Sequence, residues 1–224
     1  MKQFFNAVLG IFWKDLQAES RTREIFGAML VFALTIILIF VFAFDLSVEM
    51  RQKAAAGVIW VTLCFAGTIS INRSMALEKD REGFDGLLLA PVDRTAIYIG
   101  KVMVNWVYLL ITAAIILPVY SLFNNTNLLS WAALGIVLLG TFGYILVGTL
   151  LSTISLHLRA RDMLLPVLLF PVIIPLLLAA VRATTILLLG GSSEELSTWI
   201  LLLVGYDLLF ASIGVLVFDR IIEE

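Results

Sequence analysis

This chain has too little charge for a soluble protein. Only 14% of its 224 residues are charged, while 61% are hydrophobic. A soluble domain carries roughly 25% charged and about 45–50% apolar residues. A globular core of this size cannot hide such an excess, so much of it must face lipid. Cys64 is the one cysteine, which excludes an intrachain disulfide and leaves no redox compartment to read. Its mid-span position reads as a small apolar filler. His157 is the one histidine. It lies between Leu156 and Leu158, beside Arg159 and Arg161, and reads as an interfacial residue rather than a metal ligand. No H-E-x-x-H pattern or acidic cluster occurs in the apolar runs, so an intramembrane enzyme is the weakest functional class. The nucleotide-cradling pattern G-x-x-x-x-G-K-[ST] is missing too: Gly100-Lys101 is followed by Val102 and lacks the earlier glycine. No cleavable signal peptide and no internal repeat stand out.

Long apolar runs are what the chain does have. Six reach the length of about 20 residues needed to cross the hydrocarbon core: residues 26–44, 54–72, 98–122, 131–156, 163–181 and 199–218. All are expected to be helices, giving an all-α integral membrane protein in one transmembrane domain, because lipid offers no partner for unpaired backbone groups. With the N-terminus inside, twelve cations fall on inside segments: Lys2, Lys14, Arg21, Arg23, Arg73, Lys79, Arg81, Arg94, Lys101, Arg159, Arg161 and Arg220. Arg51, Lys53 and Arg182 fall outside. The positive-inside rule then places both termini in the cytoplasm.

Residues 1–25 read as an interfacial amphipathic helix. Phe5, Val8, Leu9, Phe12 and Leu16 fall on one face, and Gln3, Lys14, Gln17 and Arg21 on the opposite one. Such a helix anchors the chain in the headgroup plane, or forms an elbow that braces a cytoplasmic partner.

The segment 73–97, between the second and third runs, is far longer than a membrane hairpin needs. Eight charges fall within the seventeen residues from Glu78 to Arg94. The second span is expected to continue as a polar helix through about Glu82. Gly83 and Gly86 then break it. Asp85 can cap a short helix over Gly86 to Ala90, Pro91 stops it, and Asp93 can cap the third span. Leu87, Leu88 and Leu89 form a greasy block bracketed by charge. They either dip into the lipid interface or plug a socket on another protein.

Inside the membrane, Asp207 is the chief candidate. Counted from residue 199 it lies nine residues into the sixth span, about 13 Å from its outer end at 1.5 Å per residue. An ionisable group there is costly and points to a coupling or gating role, or to a packing contact between helices. Tyr206 is its neighbour in sequence and points elsewhere on the helix. Pro166, Pro171 and Pro175 remove three helix donors from the fifth span and can bend it. Gly140, Gly148 and Ser152 share a face of the fourth and allow a close helix approach.

The stretch "EKDREGFDGLLLAPVDRTAIYIGK", Glu78 to Lys101, resembles the coupling region of the haem exporter permease family, the B subunits of the cytochrome c maturation system. That family shows a charged run, a glycine, a leucine-rich turn, "LAPV.R", an aromatic-aliphatic stretch and then "GK". Phe84, Asp85 and Gly86 stand where its members often have a small and an acidic residue. The resemblance extends to "GVIWV" at Gly57–Val61, "LLPVLLFPVIIPLLL" at Leu164–Leu178 and "GYDLLFASIGVLVFDRIIEE" at the end. It implies a permease of the ABC-2 type in a bacterial or archaeal inner membrane, forming a homodimer within its complex. A separate cytoplasmic ATPase would dock on Glu78, Arg81, Glu82, Gly83, Asp85, Gly86, Leu87, Leu88, Leu89 and Pro91, and ATP would stay in that partner. A haem-handling C-type membrane subunit, a small accessory subunit and a haem chaperone are further implied partners. Haem would be cargo, not a cofactor of this chain. The residues alone also admit an ABC-2 permease for lipid or polysaccharide. A coupling scaffold that powers release of the haem-loaded chaperone, without moving haem itself, is open as well.

Overall fold

A computed structural model describes residues 2–42, 48–80, 93–155 and 161–221. Among them are seven helices and no strand: α1 (Lys2–Thr22), α2 (Glu24–Phe42), α3 (Val48–Asp80), α4 (Arg94–Asn124), α5 (Trp131–Ser155), α6 (Arg161–Leu189) and α7 (Ser193–Ile221). All but α1 contain a stretch long and apolar enough to cross a membrane. The chain is a multi-pass membrane protein. The helix bounds reach beyond several of the apolar runs: α3 begins at Val48 and ends at Asp80, outside the run 54–72. α6 continues through Arg182 to Leu189, and α7 begins at Ser193. Hydropathy stops at polar residues, whereas a helix ends where its backbone is capped. Here Gly190 takes φ +74°, the Gly191 N–H donates to the Ile186 carbonyl, and the Ser192 hydroxyl accepts from the Glu195 N–H. Arg182, expected in an outer loop, is therefore an exposed residue within α6.

The caps elsewhere are equally local. Asp93 caps α4 as expected, its carboxylate accepting from the Thr95 N–H at 2.9 Å. Asn125 closes the same helix in the left-handed region, φ 49°. Ser130 caps α5 through the Ala133 N–H. α3 remains helical to Asp80, and α6 runs unbroken through Pro166, Pro171 and Pro175.

The bundle centre is an interlock of glycines and large side chains. A Cβ on Gly140 of α5 would collide with the ring edge of Trp60 of α3, one on Gly67 of α3 with Tyr144 of α5, and one on Gly148 of α5 with Ile71 of α3. Both members of these pairs ascend in number, so α3 and α5 run parallel, as alternate crossings must. Gly140 and Gly148 thus permit the close approach expected of them. Ser152 instead returns its hydroxyl to the Thr149 carbonyl of its own helix. Lipid supplies no hydrogen-bond partners, so the polar tips of the aromatics are spent between helices. Trp60 Nε1 donates to Thr184 Oγ1 at 3.0 Å, Trp106 Nε1 to Thr141 Oγ1 at 3.1 Å, and the Tyr98 hydroxyl to the Leu146 carbonyl at 3.0 Å. The Tyr144 hydroxyl donates to the Cys64 carbonyl at 2.6 Å, and Cys64 itself is buried.

Overpacking such a contact costs about 1–3 kcal/mol. Gly140→Leu is expected to lower the thermal midpoint in detergent clearly. Gly135→Leu, on the same helix with open space at its Cβ, serves as the control. Equal midpoints for the two variants would show that the Trp60–Gly140 contact does not hold the bundle.

Candidate functional site

Of the residues singled out in the sequence, Arg81, Glu82, Gly83, Asp85, Gly86, Leu87, Leu88, Leu89 and Pro91 lie outside the described residues, as does His157. Glu78 falls on the last turn of α3. What the structure does show is where that segment leaves and re-enters the bundle, and the polar knot beside it.

The knot begins with Gly100-Lys101. A Cβ on Gly100 would meet Ile11 of α1 at 2.9 Å, so glycine lets α1 lie directly on α4. One residue on, the Lys101 ammonium reaches Asp15 of α1 at 2.7 Å. The Lys101 side chain is 3% exposed and that of Asp15 14%. The other Asp15 oxygen faces Lys14 at 3.2 Å. Tyr108, further along α4, donates its hydroxyl to the Asp15 backbone carbonyl at 3.0 Å. Lys101 was counted among the cytoplasm-facing cations. It is instead buried about 10 Å along α4 from Arg94 at 1.5 Å per residue, and it holds one helix to another. Sequence reading missed Asp15 because it treated α1 as two-faced. A third face, with Val8, Ile11, Asp15 and Glu19, turns into the bundle. Val8, assigned to the lipid side, is buried on that third face at 5% exposure.

Two further contacts spread the knot. Asn105, one turn beyond Lys101, donates to the Lys101 carbonyl at 3.0 Å and accepts from Ser70 of α3 at 3.0 Å. At the corner between α1 and α2, Arg23 turns with φ 55° and Glu19 accepts from the Phe26 N–H at 2.8 Å, a carboxylate on a helix N-terminus. Burial pushes the Glu19 carboxyl above its ordinary range. The N–H groups of Phe26 and then Ile25 pull it back, and Glu24 adds a smaller push. So α1, α2, α3 and α4 are tied together at the end of the bundle where α3 leaves toward Asp80 and α4 returns at Asp93.

Asp207 sits elsewhere and deeper than the sequence implied. Because α7 starts at Ser193, the residue is at the helix midpoint, about 21 Å from either end. It is 6% exposed, packed on the backbone of Gly143 of α5 beside Leu176 of α6. Neither carboxyl oxygen has a hydrogen-bond partner among the described residues. Tyr206 turns away and donates to the Val172 carbonyl at 3.0 Å. The structure does not bring Asp207 together with the knot.

A buried pair that loses one partner costs roughly 3–5 kcal/mol, whereas replacing both with apolar groups is often neutral. Lys101→Met should therefore lower the thermal midpoint strongly, and Asp15→Leu with Lys101→Met should recover most of the loss. Additive losses in the double variant would mean that the two residues do not act as a pair.

A family model described as CcmB protein matches residues 6–221. The chain is 25% identical over 166 residues to Heme exporter protein B of Rhodobacter capsulatus, covering 74% of this chain and 76% of the relative. It is 24% identical over 172 residues to the protein of the same name from Paracoccus denitrificans, covering 76% and 78%. With Heme exporter protein B of Bradyrhizobium diazoefficiens the identity is 21% over 161 residues, covering 70% and 72%. A family match across nearly the whole chain, on a bundle of six spanning helices, makes this protein a member of the CcmB family.

Proposed function

We propose that this chain is the permease subunit of an ABC-2-type transporter that serves haem export or haem delivery in cytochrome c-type biogenesis. The observation that carries the reading is the family match over residues 6–221, with three relatives named Heme exporter protein B. The six spanning helices suit a permease, and the missing nucleotide motif agrees with ATP hydrolysis in a separate cytoplasmic ATPase. That ATPase docks on the coupling segment 73–97, with Leu87, Leu88 and Leu89 in a groove and Glu78, Arg81 and Glu82 at its rim. Gly83, Asp85, Gly86 and Pro91 complete the docking segment. Both termini face the cytoplasm of an inner membrane. α1 is the elbow helix lying along the cytoplasmic interface. A haem-handling membrane subunit, a small accessory subunit and a haem chaperone complete the assembly.

The knot gives this reading a mechanical route. A push on the coupling segment reaches α4 at Arg94 and α3 at Asp80. Lys101 and Gly100 bind α4 to α1, Asn105 binds it to α3, and Glu19 binds α1 to α2. α1 and α4 therefore move as one body, and α3 passes their motion on to α5 through the Trp60, Gly67 and Ile71 contacts. Asp207 of α7 lies on Gly143 of α5, where a change in the packing of α5 on α7 would expose or bury its carboxyl. The centre of one copy is filled by Trp60, Tyr144 and their glycine seats. That filled centre favours a cargo path on a face shared with a second copy over one through a single bundle.

Burying a leucine is worth about 1.5–3 kcal/mol. Leu88→Asp should strip the ATPase from the purified membrane complex while the permease stays inserted. Undiminished copurification would remove the leucine block from docking. Asp207→Asn keeps the side chain's shape and removes its titratable charge. It should preserve assembly but cut covalent haem in periplasmic cytochromes, normalised to permease level, and Asp207→Leu should do the same. Normal haem attachment in both variants would leave Asp207 a packing contact alone.

A further inference from the structure

α1 carries more than the contact with α4. At 100° per residue, its side chains sort into three lengthwise faces. Val8, Ile11, Asp15 and Glu19 face the bundle. The next face holds Phe5, Leu9 and Trp13, which are 63%, 56% and 58% exposed, flanked by the half-buried Phe12 and Leu16. Beyond Trp13 comes a stripe of Gly10, Lys14, Gln17 and Arg21, which with Trp13 and Ala18 lines an open cavity of about 520 Å³. Gly10 has nothing within 4 Å of the place where its Cβ would stand, which leaves that end of the cavity roomy. Two of the lining side chains are cations, and no acidic side chain is among the described lining residues. Lys14 also contacts Asp15 at 3.2 Å, so Arg21 supplies the less compensated charge.

An apolar stripe and a basic stripe run side by side along the same turns, with Trp13 at their border. A free anion would use only the second, and an aqueous acidic peptide would leave Phe5, Leu9 and Trp13 in water. A ligand that uses both has an acyl body and an anionic head. Tryptophan at the border is the side chain suited to the headgroup level, and juxtamembrane cations attract anionic lipid. We infer that the Trp13–Lys14–Gln17–Arg21 side of α1 is a binding site for the headgroup of an anionic phospholipid, whose acyl chains lie along Phe5, Leu9 and Trp13. The inference rests on the interfacial placement of α1 proposed above.

The test uses the full chain in nanodiscs of equimolar phosphatidylcholine and phosphatidylglycerol. One readout is the lipid retained after mild detergent extraction, measured by mass spectrometry. The other is the depth of a nitroxide at Leu9→Cys in a Cys64→Ala background. Phosphatidylglycerol should be retained over phosphatidylcholine by about fivefold per cation. Arg21→Gln should remove about one such factor and Lys14→Gln with Arg21→Gln nearly all the preference, with the nitroxide in the lipid throughout. Because Lys14→Gln also touches the Asp15 contact, Arg21→Gln alone is the deciding variant. A lipid-buried label with equal retention of both lipids, or a preference untouched by Arg21→Gln, would overturn the lipid site and leave the interfacial helix standing. A nitroxide exposed to an aqueous nickel chelate would overturn the interfacial placement itself, and the site with it.

Discussion

The buried contact between Lys101 and Asp15 is the constraint around which one end of this bundle is organised. An ammonium and a carboxylate so well shielded from water do not stabilise a fold cheaply. Their attraction must first offset the loss of two hydration shells, and the surrounding groups must satisfy what remains. Here they do so in part. Lys14 faces the second Asp15 oxygen, Tyr108 binds the Asp15 carbonyl, and Asn105 links the Lys101 carbonyl to Ser70. Such a pair specifies geometry more than it adds stability: α1 has one seat on α4, and Gly100 sets its depth.

The contacts of α5 are built differently. α5 meets α3 through glycine seats for Trp60 and Ile71, while its own Tyr144 sits over Gly67. In lipid there is no hydrophobic drive between helices, so close backbone approach and interhelical hydrogen bonds hold them. That packing leaves one ionisable group unmatched. Asp207 occupies the centre of α7 with a glycine beneath it and no donor among the described residues.

Much of this was legible in the residues. The six apolar runs declared the spanning helices because membrane burial leaves a length signature that local detail cannot erase. The Asp93 cap was readable because an Asx cap acts within three residues. The close approach at Gly140 and Gly148 followed from two small side chains on one face. The knot was not legible, because Asp15 and Lys101 are far apart in sequence and each passes alone for a surface charge. Only the packing of α1 on Gly100 reveals them as partners. For the same reason Val8 was assigned to the wrong face: a helix with three environments has no single apolar arc. The depth of Asp207 was underestimated because Ser193, Glu194 and Glu195 read as loop by hydropathy, although they form the first turn of α7.

The central claim is that α1 and α4 move as one body. Pulsed electron resonance between nitroxides at Gln17→Cys and Met103→Cys, in a Cys64→Ala background, measures it directly in the complex reconstituted with its ATPase. The distance distribution should be the same with and without ATP, and should broaden when Lys101→Met is added. A shift of several ångströms on ATP binding in the otherwise unaltered protein would contradict the account, and so would a distribution indifferent to Lys101→Met.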